Sequence, residues 1–307
     1  FGYEAERLGL GLSKIVSFGN GVDVDAACLL DYLADDPDTH MIAAYIEGIR
    51  DGRLFFDALQ RTAARKPVVV WKAGLTPLGS RAALSHTGSL GGGAGIWEGL
   101  LRQTGAVSVQ GLDEMMDALV ALHYLKKPVR RIALLGGGGA IGVFSSDLAH
   151  RWGMEIPTFS PETQEGLKKY FPTPGNSMKN PLDTGTPVLP LETVQALAGE
   201  ILTREPVDAL VMIMLLRPLE VELPAFAQMG GLEPPPRGGY LKGLVRTLAG
   251  LKTQTRKEVV MILDNRAHKV DEIFVEQAGR QASRDFQAGG IPVYPGIERG
   301  LRGIRHA

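Results

Sequence analysis

Among the residues of this chain that can serve as nucleophiles or bases, His86 has the most suggestive setting. It lies in Ser85-His86-Thr87-Gly88-Ser89, within a stretch rich in Gly, Ser and Thr over residues 74–93. That stretch reads as a long loop after a buried strand. The hydroxyls of Ser85, Thr87 and Ser89, with backbone amides such as that of Gly88, can ring a phosphoryl group with donors. A solvated loop histidine fits the same local features. Glu47 adds a second consideration: it closes a strand over residues 41–46 just before Gly48, and parallel strands deliver their carboxyl ends to one sheet edge. A carboxylate bonded to one imidazole nitrogen fixes the tautomer and leaves the other nitrogen as nucleophile. The competing reading of Glu47 is an exposed strand end.

The remaining histidines have plainer settings. His123 and His150 fall within expected helices, where a structural role is the simpler reading, and His40, His268 and His306 carry no motif. Gly137, Gly139 and Gly142 satisfy G-x-G-x-x-G after a strand, a pattern that can mark a dinucleotide site. The acidic residue that should end the next strand is missing, since Glu155 precedes residues 156–159. The turn Gly137-Gly138-Gly139 before a helix suits an anion instead, through its amides and the positive helix end. Trp71, Trp97 and Trp152 read as core residues.

The elements that must position these residues alternate strand and helix. A strand is expected over residues 12–19, ending in Gly19-Asn20-Gly21, then a helix capped by Asp23 with Asp25 in its first turn. Residues 41–49 form the next strand, 51–65 a helix, and 67–73 a nearly unbroken apolar strand of the kind buried on both faces. A helix over 94–103, a short strand over 107–109 and a helix over 112–127 complete the first series. Lys126 to Arg131 reads as a linker, which places a first domain at 1–127 and a second at 128–307. In the second, strands are expected at 132–135, 207–216, 258–263 and 291–294, with helices over 140–152 and from Ser160-Pro161 onward. Residues 217–239, with Pro234-Pro235-Pro236, read as a surface loop or partner arm. The fold class is therefore α/β: two flavodoxin-like doubly wound domains with mainly parallel sheets, whose ligands bind beyond the carboxyl ends of strands.

Composition narrows the function classes. The 307 residues hold 33 Lys and Arg against 34 Asp and Glu, so no net positive field is available for nucleic acid or an anionic membrane surface. The single cysteine, Cys28, cannot form an internal disulfide, and no run approaches the ~20 apolar residues of a membrane span. A cytoplasmic setting with small-molecule and protein partners is expected. No metal-ligand spacing stands out.

Four segments, Lys14 to Asn20, Tyr45-Ile46-Glu47-Gly48-Ile49, Lys66 to Gly74 and Ser85 to Leu90, closely resemble the NDP-forming acyl-CoA synthetases. That family includes ADP-forming acetate–CoA ligases and is related to succinyl-CoA synthetase. The resemblance continues through Gly136 to Gly139 and Asn180-Pro181-Leu182-Asp183. It implies that His86 is a phosphohistidine oriented by Glu47, and that Gly137, Gly138 and Gly139 belong to a second phosphate-facing helix end. The implied chemistry is a relay: acyl-CoA and phosphate give an acyl phosphate, His86 takes the phosphoryl group, and ADP receives it. CoA and ADP or ATP with Mg are then substrates of the complete enzyme. The implied partners are a CoA-binding domain upstream and an ATP-grasp chain or domain, in a homo- or hetero-oligomer. Residues 1–8 resemble the later part of the family's first phosphate-facing helix, so this chain is expected to be a core portion of an α-type subunit, inactive alone. Two other readings stay open: a related acyl or carbamoyl transferase, and a non-catalytic subunit of a larger assembly.

Overall fold

The computed structural model describes residues 1–87, 93–171, 176–186, 188–229, 237–265 and 269–307, without the side chains of residues 83–87 and 226–228. The chain divides into two compact units, residues 1–122 with His306 and residues 123–305 with Ala307.

In the first unit, α1 (Gly2–Arg7) and α2 (Ala26–Asp35) precede β1 (Ile42–Ile46), α3 (Gly52–Ala63), β2 (Val68–Lys72), α4 (Pro77–Thr87), α5 (Ala94–Thr104), β3 (Val107–Val109) and α6 (Leu112–Tyr124). The three strands run parallel in the order β1-β2-β3, with Tyr45 opposite Trp71 and Ile46 opposite Lys72. Val68, Val69 and Val70 are buried, as expected of a central parallel strand covered on both faces. Phe55, Leu59, Trp97 and Leu101 pack into the same core, with the rings of Phe55 and Trp97 edge to face at 5.7 Å.

Two expectations fail near the start of this unit. No strand forms over residues 12–19; the segment is irregular, with Ile15 and Val16 exposed. Strand preference in β-branched residues expresses itself only against a neighbouring strand. The segment is instead tied down by side chains, Lys14 to Asp36 at 2.7 Å and Ser13 to Thr39 at 2.9 Å. The cap of α2 is Asp25 and not Asp23: its carboxylate accepts the Cys28 N–H at 3.0 Å.

The second unit comprises β4 (Ile132–Gly136), α7 (Gly139–Arg151), α8 (Pro161–Lys168), β5 (Leu182–Asp183), α9 (Leu191–Arg204), β6 (Ala209–Leu215), α10 (Leu223–Met229), α11 (Gly239–Thr255), β7 (Glu258–Asp264), α12 (Ile273–Ala288), β8 (Val293–Tyr294) and α13 (Ile297–Ile304). The sheet order is β5-β4-β6-β7-β8, all parallel. The order of strand addition reverses at β4, with β5 on one side and β6 on the other, so the crevice beyond the carboxyl ends of β4 and β6 is the switch point. The stretch expected as a loop over residues 217–239 is helical over much of its length: a π-helical turn at Pro218–Glu222 runs into α10. Leu219 is buried against the core there, which gives the segment an apolar reason to fold.

Candidate functional site

Glu47 follows directly on β1 and is half-buried at the carboxyl edge of the first sheet. Side chains two apart on a strand share a face, and Tyr45 uses that geometry: its hydroxyl donates to Glu47 Oε1 at 2.9 Å. Burial, and secondarily this bond to a carboxylate, push the Tyr45 phenol above its ordinary value. The Tyr45 ring is held in turn by Trp71 of β2, edge to face at 4.8 Å.

Lys72, the last residue of β2, is only 5% exposed. Its ammonium donates to the backbone carbonyl of Glu47 at 2.8 Å and to that of Ala73, and lies 5.1 Å from the Trp97 ring centroid. Burial lowers its pKa, an effect partly opposed by the Glu47 charge. Sequence reasoning assigned neither Tyr45 nor Lys72 a role. The available signals were the i, i+2 spacing of Tyr45 and Glu47, and a lysine ending an otherwise apolar strand.

The segment expected as a loop over residues 74–93 contains α4. Thr76 starts it, its hydroxyl accepting the Gly79 N–H at 3.0 Å and its carbonyl the Ser80 N–H at 2.8 Å. Pro77 supplies the preset first-turn dihedral, and Arg81, Ala82, Ala83 and Leu84 are good helix formers. Ser85, His86 and Thr87 therefore occupy the last turn of a helix. Their side chains, and Gly88 and Ser89 entirely, lie outside the described residues.

In the second unit the turn Gly137-Gly138-Gly139 connects β4 to α7, with Gly138 at φ +114°. Only glycine adopts that conformation at low cost. The Gly138 N–H donates to Asp183 Oδ1 at 2.8 Å, and the same oxygen accepts the Gly185 N–H at 2.9 Å. An acidic side chain thus already stands at the amino end of α7. Asp183 is delivered by Asn180, a buried residue that accepts the Leu134 N–H at 2.9 Å and donates to the carbonyls of Ile132 at 2.8 Å and Pro157 at 3.0 Å. Gly142 is close-packed: a Cβ there would lie 3.4 Å from Pro181. The quoted Asn180-Pro181-Leu182-Asp183 motif is therefore a support for the glycine turn, a role the sequence alone did not disclose.

The structure brings Glu47, Tyr45 and Lys72 together in one unit and the glycine turn, Asp183 and Asn180 in the other. Among the described residues, no group of three His, Cys, Asp or Glu is placed to hold a metal, and no helix is long and apolar enough to cross a membrane.

Residues 2–122 match the family described as succinyl-CoA ligase like flavodoxin domain. Over 181 residues the chain is 38% identical to the acetate–CoA ligase [ADP-forming] II subunit alpha of Pyrococcus furiosus, covering 59% of this chain and 39% of that protein. It is 39% identical over 180 residues to acetate–CoA ligase [ADP-forming] I of Archaeoglobus fulgidus, covering 58% of this chain and 26% of that protein. The chain thus spans well under half the length of either. Among solved structures, the dinucleotide forming acetyl-coenzyme A synthetase 1 of Ca. Korarchaeum cryptofilum, in complex with phosphate and ADP, superposes with a TM-score of 0.73 at 28% identity. That match covers 99% of this chain and 60% of the other.

Proposed function

From the premise that this chain is a homologue of the ADP-forming acetate–CoA ligases and that residues 2–122 form a succinyl-CoA ligase like flavodoxin domain, we propose that it is the core part of an NDP-forming acyl-CoA synthetase. The reaction is acyl-CoA, phosphate and ADP to carboxylic acid, CoA and ATP, and it is reversible. Phosphate displaces CoA to give an acyl phosphate. The imidazole of His86 then attacks phosphorus and releases the carboxylate, and the phosphohistidine passes its phosphoryl group to ADP. Glu47 orients His86, and Ser85, Thr87, Gly88 and Ser89 surround the phosphoryl group. The Gly137-Gly138-Gly139 turn is a further phosphate-binding element, through amides other than that of Gly138, which Asp183 already engages.

The observation that carries this reading is the 38% identity to the Pyrococcus furiosus alpha subunit. The complete enzyme requires a CoA-binding domain and an ATP-grasp domain or subunit in a cytoplasmic oligomer, with Mg entering on the nucleotide. Incubating that complete enzyme with ATP labelled at the γ-phosphate tests the relay. Wild type should hold acid-labile, base-stable label on this chain, and a His86→Asn variant should hold none. An unlabelled wild type would sink the relay.

A further inference from the structure

We propose that Tyr45 and Lys72 are positioning residues that hold Glu47 in a single orientation, an inference that rests on the reading above in which Glu47 orients His86. The two grip Glu47 at different points. Tyr45 takes one carboxylate oxygen at 2.9 Å. No other side chain among the described residues donates to that carboxylate. One oxygen is tied and the second is presented in a defined direction.

Lys72 grips the backbone. Its bonds to the carbonyls of Glu47 and Ala73 stitch together the residues just beyond β1 and β2, so the peptide that carries Glu47 cannot swing relative to the strand from which α4 follows. Burying an ammonium with carbonyl acceptors is expensive beside exposing it or replacing it with an apolar residue. Lys72 is 5% exposed, over the Trp97 ring, on a strand whose preceding positions are Val and Trp. A methionine would fill that volume without the cost. What the lysine adds is fixed geometry at Glu47, and a misplacement of ~1 Å in such an assembly can cost about a hundredfold in rate.

The test uses the whole chain and potassium phosphoramidate, a small phosphoryl donor that needs no partner protein. Phosphohistidine at His86 is followed by intact mass and by 31P NMR. Wild type should be phosphorylated at His86, and Glu47→Gln should be slower. Tyr45→Phe and Lys72→Met should each lower the maximal rate about tenfold, the scale of one charge-assisted hydrogen bond, with the half-saturating donor concentration unchanged. Tyr45→Phe should melt within about a degree of wild type, because its ring contact with Trp71 survives. If wild type is not phosphorylated at His86, or Glu47→Gln reacts at the wild-type rate, the underlying reading falls and this inference with it. If both of those hold while Tyr45→Phe reacts at the wild-type rate, the inference alone is overturned. A slowdown that appears only as weaker donor binding or as a lower melting temperature also overturns it. Should Lys72→Met fail to fold, Tyr45→Phe decides the question.

Discussion

Asn180 commits its whole side-chain amide to the backbone, accepting from Leu134 and donating to Ile132 and Pro157. These bonds dock the Asn180-Pro181-Leu182-Asp183 segment against β4, and they leave Asp183 beside the glycine turn. An Asn180→Ala variant strips the partners from three backbone groups at once, those of Leu134 and Ile132 buried and that of Pro157 half-buried. Such groups cost about 1–3 kcal/mol each when left unsatisfied, with partial relaxation expected. Urea denaturation should show a loss of about 3 kcal/mol, and a loss under about 0.5 kcal/mol would contradict the docking role. The cluster of three hydroxyl residues around His86 (Ser85, Thr87 and Ser89) is a different case. Those residue types advertise a ligand in the sequence, whereas Asn180 advertises itself only once its three partners are in place.

At the scale of elements, α4 stands on a single well-defined start. Thr76→Ala removes the side-chain acceptor of the Gly79 N–H, and loss of such a cap costs about 1 kcal/mol. Amide exchange in α4 should accelerate about fivefold, with β2 unaffected. The helix also places His86 in its last turn, where the dipole is negative and a phosphoryl anion is disfavoured by roughly 0.3–1 kcal/mol. On the proposed relay, the hydroxyls of Ser85 and Thr87 and donors from beyond the helix must offset that cost. The sequence disclosed most of the buried strands, because runs such as Val68 to Val70 have one stable use. It did not disclose α4, since Gly and Ser on both sides of Ala82 to Leu84 masked a Thr-Pro start signal. It overstated residues 12–19, where apolar types without a paired neighbour stay irregular. It missed β5, two residues long, whose existence depends on the Asn180 contacts and on no local periodicity. At the candidate site, residue types pointed to Glu47 and His86, the hold by Tyr45 was signalled only by its i, i+2 spacing, and the hold by Lys72 needed the pairing of Ile46 with Lys72 to be seen.

For the whole molecule, each unit closes its own core, the first around Phe55, Leu59 and Trp97, the second around β4, β6 and β7. Buried charge makes the stability of both depend on pH. Burial lowers the pKa of Lys72 in the first unit and of Lys257 in the second. An unfolded lysine keeps its proton up to the ordinary value of 10.5. Between the lowered folded values and 10.5 the unfolded chain therefore binds more protons at these two lysines, and their contribution to stability rises with pH across that window. Comparing wild type with Lys72→Met by urea denaturation from neutral pH to about pH 10 should show wild type gaining on the variant as pH increases. A constant difference would argue that Lys72 carries no such penalty. Asp183 has an electrical consequence for the second unit. The amino end of a helix carries about half a positive charge, and a full negative carboxylate already faces the turn before α7. The local sum is about minus one half, so free phosphate drifting in solution meets mild repulsion there and no trap. On the proposed relay, only a phosphoryl group held covalently, at high effective concentration, would outweigh that repulsion.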